Sequence, residues 1–116
     1  MSVEPEITFR NMEPSDAVIE RIKERLDWLT KPMDRITHLR VTVEAPHRAH
    51  HKGKIYHVRL IVGVPGEPDF VINNEPEANH AHEDVYVAIR DAFAAARRKL
   101  QDLADIRSGK TKTHRT

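Results

Sequence analysis

The sequence predicts an α+β fold: a two-layer sandwich in the order β-α-β-β-β-α, with a four-stranded sheet and two helices packed on one face. Two observations carry this. The apolar residues switch along the chain between a period of two and steps of three and four, the periods of a half-buried strand and of an amphipathic helix. The last three strand-like stretches are consecutive, which favours an antiparallel meander covered on one side by the two helical stretches. With 116 residues, the chain has room for one core and not for two.

Each element has a local reason. Ile7 and Phe9 alternate with Thr8 and Arg10, which gives a short first strand. Ser15 is a good helix N-cap, Asp16 suits the positive end of the helix, and Val18, Ile22, Leu26 and Leu29 recur at helical spacing, so a helix is expected from about Asp16 to Thr30. Lys31-Pro32 ends it, because proline disfavours helical geometry in the residue before it. From Ile36 the period is two, with Leu39, Val41, Val43 and Ala45 opposite His38, Arg40, Thr42 and Glu44. After a polar interruption at 46–53, Tyr56, Val58, Leu60, Val62 and Val64 form a third strand. The run Val64-Pro65-Gly66-Glu67-Pro68 reads as a turn, Phe70-Val71-Ile72 as a short fourth strand and 73–81 as a loop. Val85, Ile89, Ala92, Ala96, Leu100 and Leu103 then mark a second helix, with Glu83 and Asp84 at its positive end. Residues 1–107 are expected to be one domain and 108–116 a disordered basic tail, since no apolar period follows Ser108.

Composition narrows the function classes. There is no Cys, so neither a disulfide framework nor a thiolate zinc site is available, and the cytoplasm is the expected compartment. No stretch approaches the roughly 20 apolar residues of a membrane span, so no membrane partner is expected. Net charge is only +1, but Arg97, Arg98, Lys99, Arg107, Lys110, Lys112 and Arg115 crowd the C-terminal stretch. A polyanion partner therefore has local rather than global support.

No catalytic constellation stands out. There is no glycine-rich phosphate loop, and Ser2, Ser15 and Ser108 lack a nucleophile elbow, so neither an enzyme nor a small-molecule substrate or cofactor is expected. The histidines form the sharpest local pattern: His47, His50 and His51 share one segment with Arg48, Lys52 and Lys54. Three imidazoles can make an open zinc site, but no HExxH helix or paired strand histidines fix its geometry. The other readings are a hairpin tip that meets phosphates or stacks on bases, and a merely solvated loop.

The helix faces say more. At about 100° per residue, Arg90 and Arg97 fall on one flank of the second helix's apolar stripe, Arg98 opposite them and Lys99 at the stripe's edge. On the first helix, Arg21 and Arg25 share a flank with Trp28. Such charges can line a groove between two helices, or simply bridge to nearby acids such as Glu20, Glu24, Asp91 and Asp102. Arg10, His38, Arg40, His57 and Arg59 belong to the uncovered sheet face, where solubility alone accounts for polar residues.

Ile7-Thr8-Phe9-Arg10-Asn11-Met12-Glu13, the helix ending in Arg25-Leu26, and His82-Glu83-Asp84-Val85-Tyr86-Val87-Ala88-Ile89 together resemble the hibernation-promoting factor and ribosome-associated translation inhibitor family. The likeness runs from about Ile7 to Leu103, and Asp84, Tyr86, Ala88 and Ile89 carry its most specific segment. It implies a protein that sits in the mRNA and tRNA channel of the small ribosomal subunit and holds ribosomes idle under stress or in stationary phase. By the same resemblance, Arg25 and Arg98 match basic positions of the family's two helices, whereas the family's lysine falls on Ala95 and its glutamate on Arg97. The His-rich segment is expanded relative to shorter members, so its contacts do not carry over. No long extension follows the second helix, which resembles the short form without a dedicated dimerisation domain.

A double-stranded-RNA-binding domain uses a similar layer but offers lysines at the start of its second helix, where this chain has Glu83 and Asp84. Phosphate contacts are therefore expected farther along, at Arg90, Arg97, Arg98 and Lys99, together with Arg21 and Arg25 and the segment bearing His47, Arg48, His50, His51 and Lys52. The expected function is steric inhibition of translation through small-subunit rRNA. A His-liganded metal-binding protein and a protein-interaction module using the sheet face are the alternatives.

Overall fold

The computed structural model describes residues 3–31, 36–45, 56–73 and 84–108. The order is β1 (Glu6–Arg10), α1 (Asp16–Leu29), β2 (His38–Glu44), β3 (His57–Val64), β4 (Glu67–Asn73) and α2 (Val85–Ser108), which is the predicted β-α-β-β-β-α succession. The sheet runs β1-β2-β3-β4. β1 lies parallel to β2, and a parallel neighbour needs a crossover, which α1 supplies. β2, β3 and β4 are antiparallel in turn, the expected meander.

Register explains the core. Ile7, Val41, Leu60 and Ile72 stand side by side across the four strands, flanked by Phe9, Val43 and Val58 on one side and by Leu39, Val62 and Phe70 on the other. All point to the helix side, where Val18, Ile22, Leu26 and Leu29 of α1 meet Ala88, Ile89, Ala92, Phe93, Ala96 and Leu100 of α2 in one cluster. Because strand side chains alternate, the same register sends Arg40, Arg59 and His38 to the opposite, uncovered face, where they are exposed. Phe93, absent from the expected helical stripe, is among the largest fully buried side chains; it sits beside Ile89 and widens the stripe toward α1.

The ends of the elements follow from side-chain chemistry. The Ser15 hydroxyl accepts a hydrogen bond from the Val18 backbone N–H at 3.3 Å, the N-cap expected of α1. The Thr30 hydroxyl donates to the Leu26 and Asp27 carbonyls, closing the helix at its other end. Asp84 does more than place charge before α2: its Oδ1 accepts the Tyr86 N–H at 2.8 Å. Asn11 leaves β1 at φ 60°, a conformation Asn tolerates better than most residues, and its amide donates to the Ala45 carbonyl.

Several boundaries differ from expectation. β2 begins at His38 and ends at Glu44, so Ile36 and Ala45 flank the strand, although Ile36 is buried. β4 begins at Glu67 because the turn needs only Pro65 and Gly66, with Gly66 at φ 79° as the third residue of a type II turn requires. Pro68 is tolerated inside β4 because that strand is at the sheet edge, where one side of the backbone needs no partner. α2 continues to Ser108, and 109–116 lie outside the described residues.

Candidate nucleic-acid interface

The two helices share the core face of the sheet, and their adjoining flanks bring five side chains together. α1 contributes Arg21, Arg25 and Trp28, which lie on one flank because they are separated by four and three residues. α2 contributes Tyr86 and Arg97. The Arg97 guanidinium lies 4.2 Å from the centroid of the Trp28 ring, and that of Arg25 lies 5.8 Å from the same ring. The Arg21 guanidinium lies 4.7 Å from the centroid of Tyr86. Two of these three contacts therefore join one helix to the other.

What holds these cations decides what they can bind. Arg21 has Glu24 at 3.4 Å, but neither Arg25 nor Arg97 has a carboxylate partner among the described residues. An aromatic face attracts a guanidinium through its quadrupole without neutralising it, and leaves the in-plane N–H groups available. Arg25 and Arg97 thus give the groove oriented cations with no carboxylate partner among the described residues, the arrangement that suits phosphate oxygens.

The remaining expected residues are placed differently. Arg90 has the phase of the groove flank, yet its guanidinium donates to Asp91 at 3.1 and 3.2 Å, so that charge is balanced locally. Arg98 and Lys99 are exposed, and Arg98 stands about 100° around the helix from Arg97, away from α1. His47, Arg48, His50, His51 and Lys52 lie outside the described residues. Among the described residues no group of three or more His, Asp or Glu is placed to hold a metal ion, and no helix is long and apolar enough to cross a membrane. Tyr86 was missed as a ring partner by sequence reasoning, since its role depends on Arg21 of the other helix.

The open sheet face is electrically mixed. Arg40 pairs with Glu6 at 3.2 Å, the residue opposite it in register. His38 Nε2 and Asp69 Oδ2 are 3.0 Å apart, and His57 Nε2 stands 2.8 Å from Asn73 Oδ1. Arg10 and Arg59 have no carboxylate partner among the described residues. Between the charges, Ile61 and Val71 face each other across β3 and β4, with Val71 48% exposed.

Comparison with known proteins agrees with the architecture. The structure of a ribosomal subunit interface protein from Coxiella burnetii superposes with a TM-score of 0.63 at 16% identity, covering 86% of this chain and 96% of that one. The N-terminal domain of Thermus thermophilus Protein Y gives a TM-score of 0.64 at 17% identity, covering 89% and 99% respectively. At such identities the likeness shows a shared fold. Among curated proteins, none matches the sequence. The family model described as Sigma 54 modulation protein / S30EA ribosomal protein matches residues 6–108, nearly the whole described fold, and the chain belongs to that family.

Proposed function

We propose that this protein binds the small ribosomal subunit through the groove between α1 and α2 and inhibits translation by occupying the mRNA and tRNA channel, with no chemical step. The observation that carries this reading is the set of arginines held on aromatic rings, two of them without a carboxylate partner among the described residues. Family membership supports a ribosomal role, and one of the two solved structures that share the fold is described as a ribosomal subunit interface protein. Ribosomal RNA supplies the matching anions, and the cytoplasm, under stress or in stationary phase, is where such a factor would act. Arg98 and Lys99 extend the same basic helix on its other flank, and the segment bearing His47, Arg48, His50, His51 and Lys52 adds further cations.

The test is co-sedimentation with purified small subunits at two salt concentrations, with translation of a reporter messenger measured in parallel. Salt-sensitive pelleting together with inhibition is the expected result. A second reading, a protein-docking surface on the open sheet face, is favoured by the exposed Val71 beside the half-buried Ile61. Binding that ignores both salt and ribonuclease would select it.

A further inference from the structure

Arg97 and Trp28 have a geometry that reaches beyond simple charge attraction. At 4.2 Å from the ring centroid, the guanidinium carbon of Arg97 lies over the indole. The indole covers this cation from one side, and the guanidinium has no carboxylate partner among the described residues. Both side chains are only partly exposed, and they come from different helices, so the stack is braced from two sides. A braced cation loses little rotamer freedom on binding. The chain is poor in aromatics, at 5%, and its one Trp lies in this groove rather than wholly inside the core.

We propose, on the ribosome-binding reading above, that Trp28 and Arg97 form a stacking subsite for one unpaired RNA base. The base lies on the outer face of the Arg97 guanidinium, with the Trp28 indole beneath it. Unpaired bases stack on arginine planes as well as on aromatic rings, whereas bases inside a duplex have both faces occupied. Arg25, 5.8 Å from the same indole, is close enough to serve the phosphate of that nucleotide. The subsite therefore favours single-stranded or bulged RNA over continuous duplex.

The chain's single Trp makes indole fluorescence a report on residue 28 alone. The full-length protein is titrated with a short single-stranded RNA, with the same strand made abasic, and with a duplex carrying the same number of phosphates; pelleting with small subunits is measured separately. The intact single strand is expected to change Trp28 emission, and the other two are not. Arg97→Lys keeps the charge but removes the plane, and is expected to weaken single-strand binding about tenfold and abolish the spectral change, since one stacked base contributes on that scale. Trp28→Leu should weaken binding similarly with a folded far-UV spectrum, and Trp28→Phe should restore most of it. Equal responses to abasic and intact strands, or an Arg97→Lys protein that binds single strands as wild type does, would overturn the subsite. Wild-type protein that changes emission with single strands but fails to pellet with subunits would reject the ribosomal reading and leave the stacking site standing.

Discussion

His38 and Asp69 stand on strands that are not neighbours, yet their side chains meet at 3.0 Å because Gly63, on the strand between them, has no side chain. A Cβ at position 63 would collide with the His38 imidazole and the Thr37 hydroxyl. Gly63→Ala is therefore expected to displace the imidazole and break its contact with Asp69, costing about 1 to 3 kcal/mol. In a His38→Ala background the same change should cost less, with a coupling of about 0.5 kcal/mol or more from a double-mutant cycle in urea. Strict additivity would show that the imidazole does not occupy the space above Gly63.

Core and groove should separate cleanly. Ile89 and Phe93 are fully buried under α2, so Ile89→Ala and Phe93→Ala are expected to destabilise by about 2 to 5 kcal/mol through the cavities they leave. Arg25→Ala and Arg97→Ala should each cost at most about 1 kcal/mol, because a partly exposed cation on a ring contributes little to folding. The same two variants should weaken pelleting with small subunits. Melting curves alongside pelleting assays check both halves, and undiminished pelleting by both arginine variants would move the site elsewhere.

Salt dependence measures how many phosphates are engaged. Each contact to a phosphate contributes a slope of about −0.7 to −0.9 in a plot of log affinity against log salt, so Arg21, Arg25 and Arg97 together give about −2 to −3. A steeper slope means that other cations, such as Arg98 and Lys99, also reach RNA. Arg97→Ala should make the slope shallower by about one. A slope near zero in the wild type would eliminate an electrostatic groove.

The histidine-rich segment makes a separate expectation. If His47, His50 and His51 approach phosphates, their bound-state pKa values rise above the ordinary imidazole value of about 6.5, and binding takes up protons. Affinity then increases as pH falls through the window between the raised bound values and the free ones. Ribosome affinity at pH 6 and pH 8, for wild type and a triple His→Ala variant, checks this. The same pH dependence in both proteins would exclude the segment from the RNA contact.

The order and type of the elements were legible because each apolar run keeps one period: Leu39, Val41 and Val43 alternate, and Val18, Ile22 and Leu26 step by four. The extra length of β4 was not, since Pro68 reads as a turn residue until the strand is known to lie at an edge. Arg21, Arg25 and Trp28 were identifiable as one helical flank. Arg97 was named with Arg90 as a possible groove residue, but that Arg97 rather than Arg90, together with Tyr86, would meet them was not legible, because the phase of one helix against another is set by packing that no local pattern records. The His38–Asp69 contact escaped for the same reason: it depends on register, and on a glycine that looked like any gap in an alternating strand.

The two walls of the groove lie on either side of the meander in the chain, so α1 and all the strands are synthesised before α2. Until α2 emerges, Trp28 has no Arg97 above it, Arg21 has no Tyr86, and the sheet's inner face lacks the cover that Ile89 and Phe93 provide. A growing polypeptide therefore has no completed groove to offer. If this groove is the ribosomal contact, a nascent chain acquires it only once α2 has left the tunnel and packed against α1.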